Sequence, residues 1–179
     1  MVKRTYFILV SVFLMASCSY HLSMEKRPYI GNQLRIDGFY YTVGVDSFLH
    51  AGYFFYRDGS VSYRGGRYHA ATMKSSFHRD IINEKHILYA RKGRFAGGLF
   101  QINDSIIKFE KWYPSPGGMH KCYIREGIII NDTTFIIRAS YRSVKGKKKD
   151  FDKENKLYHF RHYTPKPDST NLYIHIKIE

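Results

Sequence analysis

The sequence predicts a mainly β protein: an antiparallel barrel or two-layer meander of about nine strands, with one helix inserted after the third strand. Three observations lead there. The 179-residue chain carries 16 Tyr, 13 Phe and one Trp, and aromatic side chains favour pleated, half-buried surfaces. Apolar and polar residues alternate most clearly where Phe135, Ile137, Ala139 and Tyr141 interleave with Thr134, Ile136, Arg138 and Ser140, a period of two that turns the first set toward a core. The pairs Asp58-Gly59, Asn103-Asp104 and Asn131-Asp132 stand between such runs, and these residue types tolerate the positive φ that tight hairpins demand.

Taken in order, the first strand is expected over residues 34–42 and the second over 52–57, with Asp58-Gly59 turning the chain into a third over 60–64. Residues 73–91 then break the rhythm, because Phe77, Ile81, Ile82, Leu88 and Tyr89 are separated by charged residues. That spacing reads as a helix, with Ser75 or Ser76 as its cap. Two hairpins follow, 95–102 with 105–113 and 119–130 with 133–143. A last strand is expected over 172–178, where Ile174, Ile176 and Ile178 alternate with His175 and Lys177. An open sheet of so many strands would leave two exposed edges, so closure or two packed layers is the physical solution.

The first seventeen residues have a different design. Lys3 and Arg4 precede the apolar run of residues 6–15, the layout of a secretory signal. As a helix, ten residues rise ~15 Å, half of a bilayer's hydrocarbon thickness. The run closes with Leu14-Met15-Ala16-Ser17-Cys18, which resembles the lipobox of bacterial lipoproteins, with Met15 where that motif usually has Leu, Val or Ile. The resemblance implies cleavage before Cys18 and acylation of its thiol, hence membrane attachment through acyl chains, since each buried methylene contributes ~0.8 kcal/mol. Ordinary signal cleavage near Ala16 and an uncut N-terminal helix are the other readings, and all three imply export.

The expected organisation is therefore a signal peptide over 1–17, a flexible lipid-anchored tether over 18–33 containing Pro28 and Gly31, and one domain over 34–179. The residues after Cys18 hold no acidic run, which favours a periplasm-facing anchor in the cell envelope. From Gly38-Phe39-Tyr40 onward the body resembles lipocalin-like barrels and small bacterial lipoproteins of that kind. Lipocalins usually open with Gly-x-Trp where this chain has Tyr40, and their helix follows the strands instead of interrupting them.

Net charge narrows the partners. The chain is formally +14, and still +12 without Lys3 and Arg4. Outside the cytoplasm such a body meets anionic head groups and acidic envelope polymers, not nucleic acid. Lys145-Gly146-Lys147-Lys148-Lys149 reads as a solvated hairpin loop, with contact to anionic head groups as the alternative. The two cysteines, Cys18 and Cys122, give no disulfide framework, and Cys122 reads as a buried small apolar residue on a strand.

Catalytic, cofactor and metal signals are absent from the sequence pattern. HExxH does not occur, His159 and His162 fall on opposite faces of a strand, and His78 and His86 stand too far around a helix to chelate together. Gly65-Gly66 and Gly97-Gly98 read as bulges or tight bends. Asp37, Glu110 and Glu126 are the carboxylates away from turns, and a hydrolase would need two of them at one cavity. Arg35, Lys108, Lys111 and Arg125 lie near them in sequence, so cross-strand ion pairs explain the same residues. The segment 112–118, with Trp112, Tyr113 and Pro114, reads as core closure or as one wall of a barrel mouth. Three functions compete: a non-enzymatic binding protein for a small apolar or amphipathic ligand, an envelope scaffold using its basic surface, and a hydrolase using strand carboxylates.

Overall fold

Eight strands close into an antiparallel barrel in the computed structural model, which describes residues 21–44, 48–69, 72–114 and 120–174. The order is β1 Gly38–Val43, β2 Leu49–Phe55, β3 Ser60–Tyr68, α1 Met73–Ile82, α2 Glu84–Lys92, a 3-10 turn at Arg94–Ala96, β4 Gly97–Asn103, β5 Ile106–Pro114, β6 His120–Asn131, β7 Thr134–Val144 and β8 Lys147–His162. Each strand pairs with the next, and β1 closes on β8 with Tyr40 opposite Phe160. Every strand thus has a neighbour on both sides, although the β3–β4 seam is only three residue pairs long.

The turn chemistry explains the connections. Gly59 takes φ +83°, and a Cβ there would stand 2.0 Å from the Arg27 carbonyl oxygen. Beside it, the Asp58 carboxylate accepts from the Ser60 amide at 3.0 Å and pins the β2–β3 turn. Asp104 carries a positive φ after β4, and the Asn131 carboxamide accepts from the Thr133 amide at 3.0 Å between β6 and β7. In the basic run, only Lys145 and Gly146 form the hairpin tip, at φ 50° and 73°; Lys147, Lys148 and Lys149 already belong to β8. Two consecutive positive φ values are the mark of a type I′ turn, whose twist matches the strands it joins.

Two expected elements differ in detail. The inserted helix is two helices, because Asn83 takes extended backbone and caps the second by accepting from the Lys85 amide at 3.0 Å. At the C-terminus, Leu172 to Ile174 form a turn instead of strand, and the rest of the expected final strand lies outside the described residues. The signal segment 1–17 and Cys18 also lie outside them.

The lower half of the barrel is filled. Tyr40, Tyr53, Phe55, Val61, Phe100, Ile107, Phe109, Phe135, Ile137 and Tyr158 form one buried cluster. Their rings interlock, with Phe55–Phe100 centroids at 4.9 Å and Phe135 stacked on Tyr158 at 4.9 Å. Tyr29 and Leu34 plug this end; the Tyr29 hydroxyl accepts from the Leu34 amide at 2.8 Å. On the outside of β1 and β2, Phe39 and Phe54 bury Phe77 and Ile81 of α1.

The segment expected as a tether lies along the barrel wall from residue 21 onward. Glu110 accepts from the Ser23 and Met24 amides at 2.7 and 2.8 Å, Met24 packs on Ile124, Ala139 and Tyr141, and Lys26 pairs with Asp58 at 2.7 Å. Its Pro and Gly hid this docking, because composition describes chain stiffness and not the partner that awaits it.

Candidate functional site

The upper half of the barrel is built differently. β3 pairs with β4 only from Ser60 to Ser62, opposite Leu99 to Gly97, whereas β4 and β5 stay paired along six residue pairs. Above Ser62 the wall between β3 and β4 is completed by α2 and the 3-10 turn. Gly65 sits in a bulge, because the register of β3 against β2 shifts between the Gly66–Ala51 and Tyr63–Tyr53 pairs. That shift helps β3 bend away.

In this region a cavity of about 310 Å³ remains, lined by Tyr53 of β2, Tyr63 of β3, Tyr89 of α2, Phe95 of the 3-10 turn, Lys111, Tyr113 and Pro114 of β5, and Arg125 of β6. Five of these are aromatic and two are cations. Such a lining, an apolar body with a few polar groups, suits a small amphipathic molecule. By the share of volume a liquid water takes, ~30 Å³, the space holds about ten non-hydrogen atoms.

Lys111 reaches this basin by strand parity. Ile107 and Phe109 belong to the barrel interior, so residues 111 and 113 follow them inward. The side chain is 5% exposed. Its Nζ stands 4.0 Å from the Tyr63 ring centroid and 4.5 Å from that of Tyr113, both within cation–π range. Burial, aided by the positive charge of Arg125, pushes the amine down to about 7.

Arg125 is held from the other side. Its Nη1 donates to the Tyr53 hydroxyl at 2.5 Å, and its Nε stands 3.7 Å from Glu154 Oε1 of β8, an ion pair too long for a hydrogen bond. Lys156 Nζ lies 3.0 Å from the other Glu154 oxygen, without the alignment of a hydrogen bond. Glu154, the carboxylate of this group among the described residues, is thus engaged with Arg125 and Lys156.

The carboxylates singled out from sequence do not converge here. Asp37 is bound by Arg35 at 2.5 Å near the closed end. Glu126 is opposite Lys108 in register and pairs with it at 3.2 Å, while also accepting from the Tyr141 hydroxyl at 2.8 Å. Glu110 is on the outer face, committed to Ser23 and Met24. Burial raises the Glu110 pKa against the effect of those hydrogen bonds. None of the three lines the tyrosine-lined cavity, and each is already engaged by a neighbouring group.

Of the four neighbouring cations, Lys108 forms the expected cross-strand pair, Arg35 pairs locally with Asp37 ahead of β1, and Lys111 and Arg125 turn inward. Cys122 is buried, and burial pushes its thiol up to about 12, which suppresses the thiolate a nucleophile needs. The His78 Nδ1 is 2.7 Å from the Tyr163 hydroxyl. Among the described residues, no group of three or more His, Cys, Asp or Glu side chains gathers as metal ligands. None of their helices is long and apolar enough to cross a membrane.

A second hollow, about 360 Å³, runs outside the barrel between the helices and the C-terminal segment, with Ile81, Ile82 and Ile87 facing Tyr163, Pro165 and Pro167. Its polar groups serve internal ties. Arg64 Nη1 donates to the His86 carbonyl at 3.0 Å, Arg91 pairs with Asp168 at 3.1 Å, and Lys166 Nζ donates to the Ile36 and Phe55 carbonyls. Only Arg64 Nε lacks a partner there. The groove therefore reads as a seam that fastens the helices.

Compared with protein-family models, with curated proteins and with solved structures, the chain matches none.

Proposed function

We propose that this protein is a non-enzymatic binding protein of the cell envelope, attached to a periplasm-facing membrane through acyl chains on Cys18, that takes a small amphipathic ligand into the basin above the filled half of its barrel. The observation that carries the binding half is a contrast within one barrel. Below Tyr53 the interior is occupied by interlocking rings; above it a tyrosine-lined cavity holds two inward cations and open space. A protein selected for stability alone fills such space, because each cavity forfeits contact energy. The anchoring half is supported by the Lys3-Arg4 start, the short apolar run and the lipobox-like residues ending at Cys18.

Native mass spectrometry of the protein extracted from its own membranes tests both halves separately. The expected result is a polypeptide beginning at Cys18 with added acyl and glyceryl mass, releasing a small amphipathic molecule on denaturation. A chain that retains Met1 and carries no lipid contradicts the anchor. A ligand-free protein that also fails to take up any eight-carbon amphiphile contradicts the binding role.

A further inference from the structure

Among the described residues, the basin holds a cation with no carboxylate of its own. Among the described residues, the groups around Lys111 are Tyr113 on its own strand, Tyr53 of β2, Tyr63 of β3, Tyr89 of α2, Arg125 of β6, and Glu154 and Tyr158 of β8, with His120 edge-on to Phe95 at the rim. Glu154 already faces Arg125 and Lys156. Lys111 itself has only the faces of Tyr63 and Tyr113. Desolvating an ammonium without an anion is expensive, and ring faces offset part of that cost but do not neutralise charge.

We propose that the ligand of this basin is a carboxylate-bearing amphiphile, whose ionised head pairs with Lys111 while its apolar body lies among Tyr53, Tyr63, Tyr89 and Phe95. This rests on the basin being a ligand site and adds the chemistry of the head group. One unbalanced cation calls for one negative charge, which a carboxylate supplies; a phosphate dianion would bring a second charge into a site whose other buried cation is already matched by Glu154.

Binding then carries a proton with it. In the free protein the buried amine is partly neutral near pH 7, and a carboxylate at its side restores the charged form, so the complex takes up a proton. Affinity for the acid falls as pH rises above 7, because the ammonium must be regenerated from solvent.

Calorimetric titration of the full chain with octanoate and with octan-1-ol, each at pH 6 and pH 9, reads this out. The two probes share their chain and differ in charge. Octanoate is expected to bind about tenfold or more tightly at pH 6 than at pH 9, with proton uptake seen as a dependence of the heat on buffer, while octan-1-ol binds alike at both. Lys111→Arg, which keeps the charge but cannot titrate in this range, is expected to remove the pH dependence and retain octanoate binding at pH 9; Lys111→Met is expected to bind octan-1-ol but not octanoate. Equal binding of both probes at both pH values overturns the carboxylate assignment and leaves the basin as a site for neutral amphiphiles. Binding of neither probe overturns the basin reading and this assignment with it.

Discussion

The carboxylate of Glu110 holds the backbone of Met24 across 86 residues of chain, its Oε2 accepting from the Met24 amide at 2.8 Å. The same carboxylate accepts from the Ser23 amide and hydroxyl. Glu110 is 1% exposed, so three donors converge on one buried acceptor. This fixes the path by which the N-terminal segment leaves the barrel wall. Replacing Glu110 by Ala orphans those donors and is expected to cost on the order of 2 kcal/mol, with the Ser23 and Met24 amides losing hydrogen-exchange protection before the barrel strands do. Unchanged protection at both amides would show that Met24 packing alone docks the segment.

The filled half of the barrel predicts an ordinary core response. Phe135 is fully buried, stacked on Tyr158 and in ring contact with Tyr40, Phe55 and Phe109. Phe135→Ala is expected to lower stability by about 3–5 kcal/mol, read as a fall in the urea midpoint. A loss below about 1 kcal/mol would mean that the interlocked rings are not the core that holds the barrel.

The C-terminal segment clamps the helices by one buried amide. Asn171 Nδ2 donates to the Ala90 carbonyl at 2.6 Å and to the Gly93 carbonyl at 3.0 Å, while its Oδ1 accepts from the Tyr173 amide at 3.0 Å. These bonds satisfy carbonyls at the end of α2 that the helix itself leaves open. Asn171→Ala is expected to cost roughly 1–3 kcal/mol and to reduce helical circular dichroism before the β signal changes. Simultaneous loss of both signals at a common midpoint would show instead that α2 and the barrel unfold as one unit.

Buried lysines set the alkaline side of the stability profile. Lys111 is pushed down to about 7 and Lys166 to about 8, both mainly by burial. In the unfolded chain both return toward 10.5, so across this window the unfolded state binds more protons and stability rises with pH. Below about pH 7 the penalty of burying both charges is fully present. Between pH 7 and about 9.5 the expected gain is about 3–5 kcal/mol; beyond that the buried tyrosines, whose pKa burial raises, oppose it. Urea midpoints of Lys111→Met are expected to show a shallower rise that begins nearer pH 8. A wild-type profile that is flat between pH 7 and 9 contradicts the buried, uncompensated amine.

Much of the barrel was legible because its signals are local. Parity marks Phe135 and Ile137 as the inward face of β7, but a register shift between Ile137 and Ala139 turns Ala139 and Tyr141 to the outer wall under Met24; Asp58-Gly59 marks the β2–β3 hairpin. Parity also pointed to Lys111, since Ile107, Phe109, Lys111 and Tyr113 step along one face of β5. Closeness in sequence to Glu110 suggested an ion pair instead, although adjacent residues on a strand face opposite ways. Arg125 finds Glu154 through barrel closure and the pairing of distant strands, which no spacing reports. The departure of β3 from β4 after Ser62, which opens the basin, depends on where α2 and the C-terminal segment settle and has no short-range signature.

The most direct test of the account is a crystal structure of the protein with 8-bromooctanoate, located by the anomalous signal of bromine. The account predicts a bromine peak among Tyr53, Tyr63 and Phe95, with the carboxylate within hydrogen-bond distance of Lys111 Nζ. Bromine in the groove between Ile81, Ile87 and Tyr163, with only water in the tyrosine-lined basin, would contradict it.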